Sequence, residues 1–250
     1  MNAPLAGKVA LVTGAGKNIG RAIALRLAAD GAAIVVNGRS DEAAIKAVAE
    51  EITVAGGRAM AYRADITKPE EVAAMANAVA ASFGGVDILV TNAGLRRQTS
   101  FLDMSFAEWR EILSVALDGA FIITQAFAQQ MIARGGGSII GLSGISTHVG
   151  TPNRAHVSAS KSGLEGLMRA LAVELAPKGI RANCVAPGAV DTVRGASAGS
   201  MPSTLADGGI PMRRRASVAE IADVVRMLAG PEGGYITGQT IHVNGGAFLT

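Results

Sequence analysis

Val9-Ala10-Leu11-Val12-Thr13-Gly14-Ala15-Gly16-Lys17-Asn18-Ile19-Gly20 is the stretch that decides the fold. Its first four residues form a short apolar run that stops at Gly14, as a strand buried on both faces does. Beyond the glycines, Ile19, Ile23 and Leu27 recur at a spacing of four and give one apolar helical face, ended by Gly31. Strand, glycine turn and helix in this order bring free backbone N–H groups and the positive helix end to one point, which suits a pyrophosphate. Glycine matters there because a Cβ would hold the backbone away from the phosphates. The bland alternative is an ordinary tight turn, but the strand–turn–helix setting favours a dinucleotide loop. Gly14, Gly16, Lys17, Asn18, Ile19 and Gly20 are therefore candidate cofactor contacts.

The same alternation continues outward along the chain. Ala33–Val36 reads as a second strand, Ser40 as the cap of a helix running towards Gly56, and Tyr62–Ile66 as the close of a third strand. Three helix starts carry the hydroxyl-x-x-Glu pattern in which side chains and orphan backbone donors satisfy each other. They are Thr67–Glu70, Ser105–Glu108 and Ser217–Glu220, with Pro69 at a first helical position. Apolar strands follow at Ile88–Val90, Ser138–Leu142, Ala182–Val185 and Ile241–Val243. Strict alternation of this kind predicts an α/β fold: a Rossmann-type, doubly wound parallel sheet with helices on both faces. With no repeat and no linker, residues 1–250 are expected to form one domain.

Composition narrows the function classes. Apolar residues make up 49% and charged residues 17%, ample for a large core and unlike a disordered chain. The net charge is only +3, and the densest basic run, Arg213-Arg214-Arg215, has no interleaved aromatics, so nucleic-acid binding is not expected. Cys184 stands alone, which excludes an intrachain disulfide and a thiolate cluster. The histidines and acids show no metal-ligand spacing, so no metal is expected. No secretion signal and no run approaching about 18 apolar residues is read, so the expectation is a cytoplasmic protein without a membrane span.

The end of the second strand chooses the cofactor. A site for NAD puts Asp or Glu there to bind the ribose 2′-hydroxyl. Here the sequence is Asn37-Gly38-Arg39. With no carboxylate to repel a 2′-phosphate, Arg39 can clamp it through paired hydrogen bonds, and Lys17 adds a second positive charge. NADP is favoured over NAD.

Six segments in order now carry a resemblance. They are the Thr13–Gly20 loop, Asp65-Ile66, Asn92-Ala93-Gly94, Ser158-Ala159-Ser160-Lys161, Pro187-Gly188 and Val243-Asn244-Gly245-Gly246. Together they resemble the short-chain dehydrogenase/reductase family over almost the whole chain. The resemblance implies that Asp65 and Ile66 contact the adenine and that Asn92, Ala93 and Gly94 stabilise the sheet beside the cofactor. It implies that Pro187, Gly188, Val190 and Thr192 belong to the segment holding the nicotinamide amide. Asn18 stands where the family usually has glycine. Asn tolerates left-handed backbone angles, so the turn is expected to survive with less room beside the pyrophosphate.

The family transfers hydride to or from a carbonyl or alcohol carbon, using a Tyr acid/base, a Lys that lowers its pKa and holds the ribose, and a Ser that orients substrate. An Asn on a preceding helix often supports a water relay. Lys161 matches the Lys, but Val157 stands at the Tyr position, Gly144 at the Ser position and Ala116 at the Asn position. Valine carries no titratable proton, so the usual relay cannot operate unchanged. Candidate substitutes are Ser143, one residue from the Ser position but expected on the opposite strand face, His156, beside the Tyr position, and His148, in the loop that shapes the family's pocket.

Three readings follow: an NADP(H)-dependent oxidoreductase with unorthodox proton transfer to a small organic substrate, a non-redox enzyme on the same fold, or a pseudoenzyme that binds dinucleotide or serves as a partner subunit. By resemblance, a substrate lid is expected over about 194–209, with Met201, Leu205 and Met212 as an apolar wall. Homotetramers or homodimers pairing through helices at 105–134 and 154–175 are expected on the same ground.

Overall fold

The computed structural model describes residues 3–193 and 209–250. Seven strands form one sheet: β1 (Val9–Val12), β2 (Ala33–Gly38), β3 (Ala59–Arg63), β4 (Ile88–Thr91), β5 (Gly137–Leu142), β6 (Ile180–Pro187) and β7 (Thr240–Val243). Their spatial order is β3-β2-β1-β4-β5-β6-β7, and every neighbouring pair is parallel. Parallel strands need crossovers, and helices supply them: α1 (Asn18–Ala29), α2 (Glu42–Val54), α3 (Pro69–Phe83), α4 (Phe106–Leu113), α5 (Gly119–Ala133), the short α6 (Ser146–Val149), α7 (Ala155–Leu175) and α8 (Val218–Ala229). The sheet carries a separate apolar cluster on each face. One gathers Ile23, Leu27, Ile45, Ile221 and Val225, the other Met75, Ile123, Phe127, Leu164 and Met168. Central strands pressed from both sides explain the uninterrupted apolar run at Val9–Val12. Strand order reverses between β1 and β4, which opens a crevice at their carboxyl ends.

Several local expectations shift. The cap of α2 is Asp41, whose carboxylate accepts from the Ala44 N–H at 3.0 Å, not Ser40. Strand β3 ends at Arg63, so Asp65 and Ile66 lie beyond it. The Thr67–Glu70 box does not form. Lys68 takes the cap position without a side-chain bond, while Thr67 donates its N–H and hydroxyl to Asp65, at 3.0 and 2.8 Å. Asp65 wins because its carboxylate is a stronger acceptor two residues back in the chain. Ser105 caps α4 through the Glu108 N–H, but the Glu108 carboxylate turns elsewhere; Ser217 and Glu220 make the full reciprocal box on α8.

Between α4 and α5, residues Ser114–Asp118 form a π-helical turn. Gly163 of α7 lies against it, where a Cβ would come within 2.8 Å of Leu117. The helical run Phe106–Ala133, 28 residues long, contains an 18-residue stretch of mean hydropathy 1.4, which by length and composition alone would be enough to cross a membrane. In this fold Ile112, Ile123, Phe127 and Met131 of that run are fully buried against the sheet and its neighbours.

Candidate functional site

A cavity of about 460 Å³ lies along the carboxyl ends of the strands, where the strand order reverses. The glycine loop forms its floor. Gly14 has φ +62°, and a Cβ there would meet Ala93 and Asn92 at 3.1 and 3.2 Å. Gly20 is tighter still, since a Cβ would sit 2.3 Å from the Gly14 carbonyl. Asn92 ties this loop to β4, donating from Nδ2 to the carbonyls of Thr13 and Gly14 at 2.9 and 3.1 Å. The buried Thr13 hydroxyl accepts from the N–H groups of Asn92 and Ala93, both at 3.0 Å.

Helix α1 starts here with a bare N-terminus. Lys17, at the cap position, makes no side-chain bond, and no acid occupies the first turn. The first turn's N–H groups have no intrahelical acceptors and no acid in their own turn, so an external phosphate fits. Asn18 adopts φ +50°, the left-handed geometry expected of a residue replacing glycine. Its amide turns onto the backbone of Val193, donating to the carbonyl at 3.0 Å and accepting from the N–H at 2.9 Å. The side chain thus bridges to the far wall of the cavity.

Of the expected cofactor contacts, all but Gly16 and Thr192 line the cavity. Gly16 instead faces α2, with Ala44 3.1 Å from where its Cβ would stand. Arg39 and Asp65 meet at one end, 4.0 Å apart, with Arg39 half exposed. Asn37 is buried and donates to the carbonyls of Tyr62 and Ala64, both at 3.2 Å, bracing β2 against β3 below them. The expected lid lies outside the described residues except for Gly209, as do Met201 and Leu205; Met212 is exposed.

At the other end, Lys161 of α7 reaches the cavity beside Gly94 and donates to the Leu142 carbonyl. Burial, and then the positive charge of Arg96, lower its pKa from 10.5 to about 8. Val157, one turn earlier on α7, lines the same wall and is buried. Gly144 leaves open space there. A Cβ built on it would have Ser146 Oγ, at 3.9 Å, as its nearest described neighbour. Ser146 and Arg154, both buried, also line this end, together with the exposed Arg96.

The four expected catalytic candidates separate. Lys161 and Ser143 line the cavity; His148 and His156 do not. Ser143, just beyond the end of β5, turns its hydroxyl to the buried carboxylate of Glu165. Glu165 also accepts from Thr147 at 3.3 Å and lies 3.0 Å from His148 Nε2. His148 stacks on Phe248, centroids 5.2 Å apart, and meets His242 edge-on at 4.5 Å. His156 is fully buried and faces α4. Its Nδ1 accepts from the Val157 N–H at 2.9 Å, so Nε2 carries the proton and donates to Glu108 at 3.1 Å. The Thr99 hydroxyl donates to the same carboxylate at 2.6 Å, and these bonds hold the Glu108 pKa below its ordinary value. A rotation of about 100° per helical residue turns His156 away from the wall that Val157 lines.

Strand order, glycine loop and cavity at the switch point define a doubly wound dinucleotide-binding α/β protein. The chain belongs to the short-chain dehydrogenase/reductase family. A family model described as enoyl-(acyl carrier protein) reductase matches residues 14–247. The chain is 39% identical over 243 residues to a Staphylococcus epidermidis protein named 3-oxoacyl-[acyl-carrier-protein] reductase FabG, covering 97% of this chain and 99% of that one. It is 39% identical over 249 residues to the protein of that name from Aquifex aeolicus, covering 99% and 100%. Among solved structures, a short-chain type dehydrogenase/reductase from Mycobacterium marinum superposes with a TM-score of 0.90 at 35% identity, covering 100% of this chain and 98% of that one. A putative short-chain alcohol dehydrogenase from Sinorhizobium meliloti gives 0.89 at 35%, covering 99% and 98%.

Proposed function

We propose that the protein is an NADP(H)-dependent oxidoreductase that reduces the carbonyl of a small organic substrate, with Lys161 in place of the missing tyrosine as proton donor. The observation that carries this reading is the Lys161 ammonium at the inner end of the cavity, with a pKa lowered to about 8 by burial and by Arg96. An acid is most useful when its pKa lies near the operating pH, and an unperturbed lysine would hold its proton too tightly. The uncapped start of α1 and the glycine loop suit the pyrophosphate, and Arg39 with Lys17 suits a 2′-phosphate. When bound, the dihydronicotinamide supplies a hydride to the substrate carbon. Lys161 gives its proton to the oxygen, which becomes the hydroxyl, and recovers one from water. Ser146, beside the space over Gly144, orients that oxygen by a hydrogen bond. The names of the reductases it resembles point to 3-oxoacyl compounds as the first substrates to try.

The test is NADPH oxidation in the presence of methyl acetoacetate and other 3-oxo compounds. Lys161→Met should lower kcat by about a hundredfold or more, the range of a lost general acid. The wild-type rate should fall as pH rises past about 8, where the ammonium is lost. Turnover unchanged in Lys161→Met would reject the proton-donor role. A second reading, a dinucleotide-binding protein without turnover, draws on Val157, which puts an inert side chain on the reaction wall, and on the Lys161 bond to the Leu142 carbonyl. Cofactor binding with no oxidation of NADPH by any oxo compound would favour it.

A further inference from the structure

Strands β1 and β6 are not neighbours. With β4 and β5 between them, their ends stand about 14 Å apart at the usual strand spacing. The segments that follow them nevertheless meet. Asn18, the first residue of α1, donates from Nδ2 to the Val193 carbonyl at 3.0 Å and accepts the Val193 N–H on Oδ1 at 2.9 Å. Both residues line the cavity. The cavity continues on either side of them, to Arg39 and Asp65 in one direction and to Gly94 and Lys161 in the other. The segment that carries Val193 is also tied to the chain before α8. Its Asp191 N–H donates to the Ala216 carbonyl at 2.9 Å, and the Ala216 N–H donates to the Ala189 carbonyl at 3.0 Å.

We propose that Asn18 is a clasp on the bound dinucleotide: its side-chain amide closes the rim of the cavity at the pyrophosphate, and cofactor enters and leaves when the Asn18–Val193 pair opens. The proposal rests on the dinucleotide-binding part of the reading above and adds what sets the rate of exchange. Position is the first support. The N–H groups at the start of α1 suit the pyrophosphate, so the bridge stands at that point of the channel, between the adenine end and the reaction end. Residue type is the second. A φ of +50° suits glycine, but glycine has no side chain to reach Val193, whereas Asn tolerates that angle and carries a donor and an acceptor together. The partner is the third. An amide that pairs with the N–H and the C=O of one residue holds its backbone whatever the side chain, and the Val193 side chain is 82% exposed. Two hydrogen bonds at an exposed rim are each modest, so the clasp slows exchange without preventing it.

Stopped-flow fluorescence of the full chain with NADPH tests this. Protein loaded with NADPH and mixed with excess NADP⁺ gives the dissociation rate, and mixing free protein with NADPH gives the association rate. Asn18→Gly should raise both by about fivefold or more, the lower range for two exposed hydrogen bonds, and change Kd much less. Val193→Ala keeps the backbone pair and should leave both rates as in the wild type. Val193→Pro removes one of the two bonds without touching the glycine loop. It should raise both rates by part of the glycine effect and add nothing on the Asn18→Gly background, where that bond is already gone. Rates unchanged or slowed in Asn18→Gly, an equal rise in Val193→Ala, or additive effects in the double variant would overturn the proposal. NADPH binding with unaltered rates defeats the clasp alone, whereas no NADPH binding defeats the reading beneath it as well.

Discussion

Replacing Lys161 by Met should make the folded protein more stable at neutral pH while removing its activity. Folding lowers the lysine pKa from 10.5 to about 8, which means that the folded state holds the proton less well than the unfolded chain does. At 1.36 kcal/mol per unit the protonated side chain costs the native state about 3 kcal/mol near neutral pH. Methionine removes that cost but leaves the Leu142 carbonyl without its donor, a loss of about 1–2 kcal/mol. The net gain is about 1–2 kcal/mol, or roughly 2–8 °C in Tm for a chain of this length. The sign with pH follows from proton counts. Between about 8 and 10.5 the unfolded chain binds more protons at this site, so wild-type stability rises across that window. The Met variant lacks that rise, and its advantage should vanish or reverse by about pH 10. Thermal melts of both proteins across this range provide the assay. A Met variant less stable than wild type at neutral pH, with the same pH slope, would refute the reasoning.

Arg96→Gln removes the second cause of the low Lys161 pKa and leaves burial, the larger one, so the alkaline limb of the pH–rate profile should move up by about one unit or less. A limb that does not move would show that Lys161 does not set it. Arg39→Gln should weaken NADPH by about ten- to a hundredfold and leave NADH nearly unchanged, since only NADPH carries the 2′-phosphate; fluorescence titration reads both. Glu165→Leu leaves Ser143, Thr147 and His148 facing a group that accepts no hydrogen bond. Urea unfolding should show a loss of about 2 kcal/mol or more with an unchanged slope.

The sheet was legible because both of its periodicities are written locally. Val9–Val12 is apolar without a break because both faces are covered, and Ile19, Ile23 and Leu27 mark one face of α1. The left-handed turn at Asn18 was readable from residue type, but the partner of its side chain was not, since Val193 is remote in sequence. The cofactor end of the site follows contiguous motifs and was legible for the same reason. The reaction end is not contiguous. Ser143 and Glu165 lie on different elements, and the sequence gives no sign that Glu165 is the acceptor drawing Ser143, Thr147 and His148 together. Arg96 is far from Arg154 and Lys161 in sequence, and only the fold brings all three to one cavity. Ser146 went unnoticed because it is two residues from the expected Ser position, and only the helical turn of α6 brings its hydroxyl beside Gly144. His156 drew attention by adjacency to Val157, although one helical step was enough to turn it towards Glu108.

The central claim is that this cavity is built for NADP(H). Parallel fluorescence titrations of the purified protein with NADPH and NADH test it most directly. NADPH should bind with micromolar affinity and NADH clearly more weakly, with the difference removed by Arg39→Gln. Equal affinity for the two, or binding of neither, would contradict it.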